Sequence, residues 1–63
     1  MPIVQVFLIE GRSEEVKKTL IEKITSAIVE SGCGPKEAIR ILIQELPSKH
    51  WGIGGKTAKE LGR

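Results

Sequence analysis

Positions 2 to 9 are apolar apart from Gln5. In an extended chain Val4, Val6 and Leu8 fall on one side, and Ile3, Gln5, Phe7 and Ile9 on the other, so both faces are largely apolar. This segment, rich in Ile, Val and Phe and opened by a proline where a ladder N–H is dispensable, predicts a strand over Pro2 to Ile9. The pattern then changes. Val16, Leu20, Ile21, Ile24, Ala27 and Ile28 recur at helical spacing, which predicts an amphipathic helix from Glu14 to about Ser31. Ser13 suits the N-cap, and Glu14 and Glu15 put negative charge in the first turn. Gly32 suits the position after the C-cap, and Gly34-Pro35 stops the helix. Lys17 intrudes on the apolar arc, where its stem can cover apolar surface while its ammonium reaches water. Glu14 and Lys18 have the spacing of an outer-face ion pair. From Ala38 to Leu46, Ile39, Ile41 and Ile43 point one way and Ala38, Arg40, Leu42 and Gln44 the other, predicting a second strand that Pro47 ends. The glycine-rich tail from Ser48 to Gly55 predicts a turn or a short hairpin, and Lys56 to Arg63 has weak helical propensity.

Strand, helix, strand in that order is an α/β arrangement, a βαβ unit with parallel strands and a right-handed crossover. One helix covers one face of a two-stranded sheet. Val4, Val6, Leu8, Ile39, Ile41 and Ile43 are expected on the covered face. Ile3, Phe7, Ile9, Ala38 and Leu42 are then left uncovered, with nothing else in the chain to pack on them. A parallel sheet open on one side is unusual, so the pattern points to other subunits.

Composition strengthens that expectation. Sixty-three residues allow one domain, 1–63. A chain of this size buries only about 60% of the surface its unfolded form exposes. Its single cysteine, Cys33, makes no internal disulfide, and Cys33 with His50 does not make a four-ligand zinc site. Self-association is the remaining rescue. No apolar run approaches the roughly 20 residues of a membrane span, so no membrane association is expected and the cytoplasm is the default compartment. A net charge of +2 with one Trp, one Phe and no Tyr argues against nucleic acid.

The chain lacks a phosphate-binding loop, a dinucleotide fingerprint and any Asp. Its candidate chemistry starts at Pro2. Loss of Met1 exposes a secondary amine there, both a base and a nucleophile. An ordinary α-amino group titrates near about 8, and an apolar site with nearby cations lowers that value towards what proton transfer needs. Pro2 also has a plain reading as a strand-opening proline. Arg12 follows the first strand, as a carboxylate fork or a solvated loop charge. Arg40 sits among apolar residues on the uncovered face and needs a partner, either a ligand carboxylate or a salt bridge between subunits. Trp51 either staples a neighbouring subunit or walls a pocket. His50 reads as a surface or turn residue and Cys33 as a loop thiol.

Met1-Pro2-Ile3, Glu10-Gly11-Arg12-Ser13, Arg40 amid alternating apolar residues, and His50-Trp51-Gly52-Ile53-Gly54-Gly55 occur in register along the chain. Together they resemble the 4-oxalocrotonate tautomerase family of the tautomerase superfamily, end to end. The resemblance implies a cofactor-independent, metal-free isomerase that interconverts keto and enol forms of a small unsaturated 2-hydroxy or 2-oxo dicarboxylate of the 2-hydroxymuconate type. It implies Pro2 as general base once Met1 is lost. It implies Arg12 as the holder of the distal carboxylate, and Arg40, lent by a neighbouring subunit, as the holder of the 2-oxo oxygen and adjacent carboxylate. Ile9, Trp51 and Ile53 are implied as pocket lining, with Trp51 where the family commonly has Phe. A homohexamer built as a trimer of dimers is the implied assembly. Two other readings remain open at this point: hydration or dehalogenation of a 3-haloacrylate with Pro2 as acid, and a non-catalytic βαβ assembly subunit.

Overall fold

The computed structural model describes all 63 residues, Met1–Arg63. Strand β1 (Ile3–Ile9) leads to helix α1 (Glu14–Glu30), then to strand β2 (Arg40–Leu46). The short strands β3 (Gly52–Ile53) and β4 (Lys56–Thr57) close the chain. β1 and β2 pair in parallel, with Ile3 opposite Arg40 and Ile9 opposite Leu46. The ladder runs one residue further at each end. Arg40 N donates to the Pro2 carbonyl (3.0 Å), and Glu10 N donates to the Leu46 carbonyl (2.9 Å). This is the βαβ unit with parallel strands that the hydrophobic pattern predicts.

Capping sets the limits of α1. Ser13 accepts a hydrogen bond from Val16 N at 3.2 Å. At the other end Gly32 N donates to Val29 O and Cys33 N to Ile28 O. These two bonds, with Gly32 at φ 83°, form a Schellman motif. The helix therefore stops at Glu30, and Ser31 is its cap rather than its last turn. An L side chain at Gly32 meets its own carbonyl in this left-handed conformation. Gly32→Ala is expected to cost about 1 kcal/mol, read as a lower denaturation midpoint at fixed protein concentration.

The predicted second strand starts two residues late. Lys36–Ala38 form a 3-10 turn instead, closed by Ala38 N to Pro35 O (3.0 Å) and Ile39 N to Lys36 O (3.2 Å). Proline at the start of the segment favours that turn over an immediate strand. The tail is a hairpin. Ile53 pairs with Lys56 across Gly54-Gly55, whose φ values of 60° and 88° give the mirror-image turn that two-residue hairpins prefer. It extends beyond Gly55 into Thr57, and the last residues form turns rather than a helix.

The covered face is as expected, but the helix contributes less. Leu20, Ile24 and Ile28 are half-buried, whereas Val16, Ile21 and Ala27 are exposed. Lys17 points inward to Glu45 on β2, with Nζ 2.8 Å from Oε1. It takes a partner there rather than reaching free water, and the expected Glu14–Lys18 pair does not form. Only Ile39 and Ala58 are buried.

The opposite sheet face is bare: Ile3 is 60% exposed, and Phe7 and Leu42 51% each. The radius of gyration is 14.5 Å, against about 10.6 Å for a compact chain of this length. The accessible surface of 4802 Å² exceeds by roughly 800 Å² what a compact monomer of this mass presents. The principal extents are 42 × 24 × 14 Å, and neither α1 nor the strands, at roughly 25 Å, span that length. No helix is long and apolar enough to cross a membrane.

Candidate active site

The residues singled out by sequence fall into two groups at opposite ends of the sheet. At the amino end, Pro2 is half-buried at the foot of β1. Its carbonyl is held by Arg40 N. The Arg40 side chain leaves from the uncovered face, the face shared with Ile3. Its Nη1 donates to the carbonyls of Glu37 (2.8 Å) and Ile39 (3.3 Å). In the structure Pro2 follows Met1, which is 82% exposed.

At the carboxyl end stand Ile9, Arg12 and Trp51. Arg12 Nη1 donates to the Ile9 carbonyl at 2.9 Å, which fixes the guanidinium beside the last residue of β1. Phe7, Leu46, His50, Trp51 and Gly52 line a shallow concavity of about 290 Å³ on the bare face. Trp51 therefore walls a cavity with apolar strand residues. Ile9 and Ile53 do not line it within one chain. Ile53 lies two residues beyond Trp51 in β3, half-buried. His50 is part of this wall, a place the sequence reading did not give it. Its position next to Trp51 was the available signal.

Seven residue steps of about 3.3 Å each separate Pro2 from Ile9, roughly 23 Å. No side chain spans that gap. Pro2 and Arg12 of one chain therefore cannot hold one small molecule between them.

The two arginines share a further property. The one ion pair in the chain is Lys17–Glu45, so neither Arg12 nor Arg40 has a carboxylate partner. Each spends one nitrogen on backbone carbonyls, and each keeps further N–H donors of its five free. A guanidinium tied at one nitrogen is oriented before a ligand arrives, and its free edge fits a carboxylate bidentately. The arrangement can grip an anion with two carboxylates, provided the two ends come from different copies. No three His, Cys, Asp or Glu side chains gather into a group that could hold a metal ion.

Comparison with known proteins agrees with this geometry. Residues 2–60 match the family model described as tautomerase enzyme. The chain is 51% identical to a 2-hydroxymuconate tautomerase of Comamonas testosteroni, over the whole of both chains. Among solved structures it is similar to a 4-oxalocrotonate tautomerase isozyme of Methylibium petroleiphilum, with a TM-score of 0.92 and 52% identity, covering 98% of this chain and 100% of that one. It is also similar to a heterohexameric 4-oxalocrotonate tautomerase of Chloroflexus aurantiacus, with a TM-score of 0.91 and 34% identity, covering 97% and 98%. A parallel βαβ unit, two arginines without carboxylate partners and this end-to-end similarity lead to one conclusion: the chain belongs to the tautomerase family.

Proposed function

We propose that this tautomerase isomerises 2-hydroxymuconate or a close unsaturated 2-oxo dicarboxylate, with Pro2 as the base once Met1 is removed. The observation that carries the reading is the pair of oriented arginines without carboxylate partners. A substrate with a carboxylate at each end offers both of them a partner.

The chemistry balances without a cofactor. With 2-hydroxymuconate, the Pro2 amine takes the proton of the 2-hydroxyl group, and the electron pair moves through the diene as the C2–O bond becomes a carbonyl. The same nitrogen, now an ammonium, delivers the proton to C5, the far carbon of the conjugated system. The double bond shifts, and no atom is gained or lost. Arg40 stabilises the negative charge that grows on the 2-oxo oxygen, where a preorganised donor is most effective. Arg12 holds the distal carboxylate and draws electron density towards it. Trp51, with Ile9 and Ile53 brought in by assembly, excludes water, which strengthens each of these interactions. The base must be neutral to act. Activity is therefore expected to fall as pH drops through the titration of the Pro2 amine, below the value near about 8 of an ordinary α-amino group.

Assembly belongs to the same proposal. The bare face of Ile3, Phe7 and Leu42 seats other copies, and a homohexamer built as a trimer of dimers in the cytoplasm is the proposed form. The 23 Å separation within one chain supports a site shared between copies. Leu42→Glu puts a charge into that face and is expected to give a smaller species by light scattering, with loss of activity. A Leu42→Glu chain that stays assembled and active would contradict the role of this face.

The direct test is ketonisation of 2-hydroxymuconate by protein whose intact mass shows Pro2 as its first residue. Turnover well above the solution rate is expected, and none above background would refute the proposal.

A further inference from the structure

Pro2 is held at one point and bordered at another by a residue with no reactive group. The carbonyl is held by Arg40 N at 3.0 Å. The ring faces the place where a side chain at position 34 would stand. A Cβ at Gly34 would sit 3.4 Å from Pro2 Cδ and 3.5 Å from Cγ. At no other glycine of the chain would a Cβ meet an atom within 4 Å.

The backbone does not explain this glycine. Gly34 is not among the residues with positive φ. It precedes Pro35, which biases it to the extended region that every L residue adopts. The Schellman turn at Gly32 sets the chain's exit from α1, and the 3-10 turn at Lys36–Ala38 leads it into β2. Between them Gly34 is delivered to the ring of Pro2, half-buried. Cδ is the ring carbon bonded to the nitrogen, so whatever stands at position 34 borders the amine itself.

We propose that Gly34 is a positioning residue for the proline base: its missing side chain leaves the Cδ side of the nitrogen open to water and substrate. The inference rests on the reading of Pro2 as the base. A methyl at this place removes water from one side of the ammonium. That disfavours the charged form and lowers the amine's titration midpoint. A weaker base moves a proton more slowly. Substrate held by the arginines is bound much as before, so the loss falls on kcat rather than KM. The ionisable groups on the segments packed against Pro2 are Cys33, Lys36, Glu37 and Arg40. They are the same in every chain compared, so a shift reports position 34.

The test uses nitrogen-15-labelled protein, wild type, Gly34→Ala and Gly34→Val, each with Pro2 confirmed as the first residue. The amine is titrated by NMR, and the acid limb of kcat/KM is followed alongside. The midpoint is expected to fall by about half a pH unit in Gly34→Ala and further in Gly34→Val, with kcat falling and KM nearly constant. Superimposable titrations in the three chains would overturn the proposal. So would a loss of activity that follows thermal stability while the midpoint stays fixed. The titration needs no turnover, so it stands apart from the base reading. That reading fails instead if a chain blocked at the Pro2 nitrogen remains as active as wild type.

Discussion

A chain that keeps Met1 is expected to lose about 10²–10⁴-fold in kcat/KM for 2-hydroxymuconate, the usual share of a positioned general base. The reason is chemical. With Met1 attached, the Pro2 nitrogen is an amide, and its lone pair is delocalised into the Met1 carbonyl. The Pro2 carbonyl still accepts from Arg40 N, and Gly34 still borders the ring. Pro2→Ala makes the complementary comparison. It leaves a terminal amine, but a primary and freely rotating one that has lost the ring. Its loss is expected to be smaller than that of the blocked chain. Separately purified forms, identified by intact mass, give both numbers in one ketonisation assay. Equal activity of the blocked and free chains would remove Pro2 from the chemistry and favour a non-catalytic subunit.

Arg40→Ala is expected to lower kcat by about 10²–10³-fold, comparable to deleting one donor from an oxyanion site. In the proposed step the negative charge on the 2-oxygen grows only as its proton leaves, so Arg40 is expected to act on the transition state more than on binding. Arg40→Lys is expected to recover little. A lysine ammonium lacks the planar fork, and it cannot keep the tie to the Glu37 carbonyl while presenting a bidentate edge. A change in KM alone, with kcat intact, would reassign Arg40 to ground-state binding. Folding is a separate matter. Arg40 N, which pairs with Pro2, is a backbone group and survives the substitution.

Much of the fold was legible in the sequence because its signals are local. The apolar run Val4–Ile9, the alternation Ile39–Ile43, the Ser13 cap and the Gly32 stop each act over a few residues, and all four recur in the structure. Two features were not legible. Lys17 reads as an intrusion on the helix arc, because its partner Glu45 lies 28 positions away and sequence spacing says nothing about it. The start of β2 was misplaced because Ala38 keeps the alternation, while Pro35 and the 3-10 bonds decide the backbone.

The candidate site divides in the same way. Pro2, Arg12, Arg40 and Trp51 stand out by chemistry and by resemblance. Their segregation to two ends of the sheet is a consequence of strand length and parallel register, and it appears only once β1 is paired with β2. Gly34 was hidden for a related reason. Read beside Pro35 it is a helix stop, and only the tertiary fold makes it a neighbour of Pro2.

The proposed site takes Pro2 from one copy and Arg12 from another. Mixing two impaired proteins tests that sharing. Pro2→Ala and Arg12→Ala chains are unfolded together, refolded together and assayed for ketonisation of 2-hydroxymuconate. Activity well above that of either protein refolded alone is expected, because mixed assemblies contain sites with both residues intact. Activity no greater than the average of the two separate proteins, in assemblies shown by mass to be mixed, would contradict it.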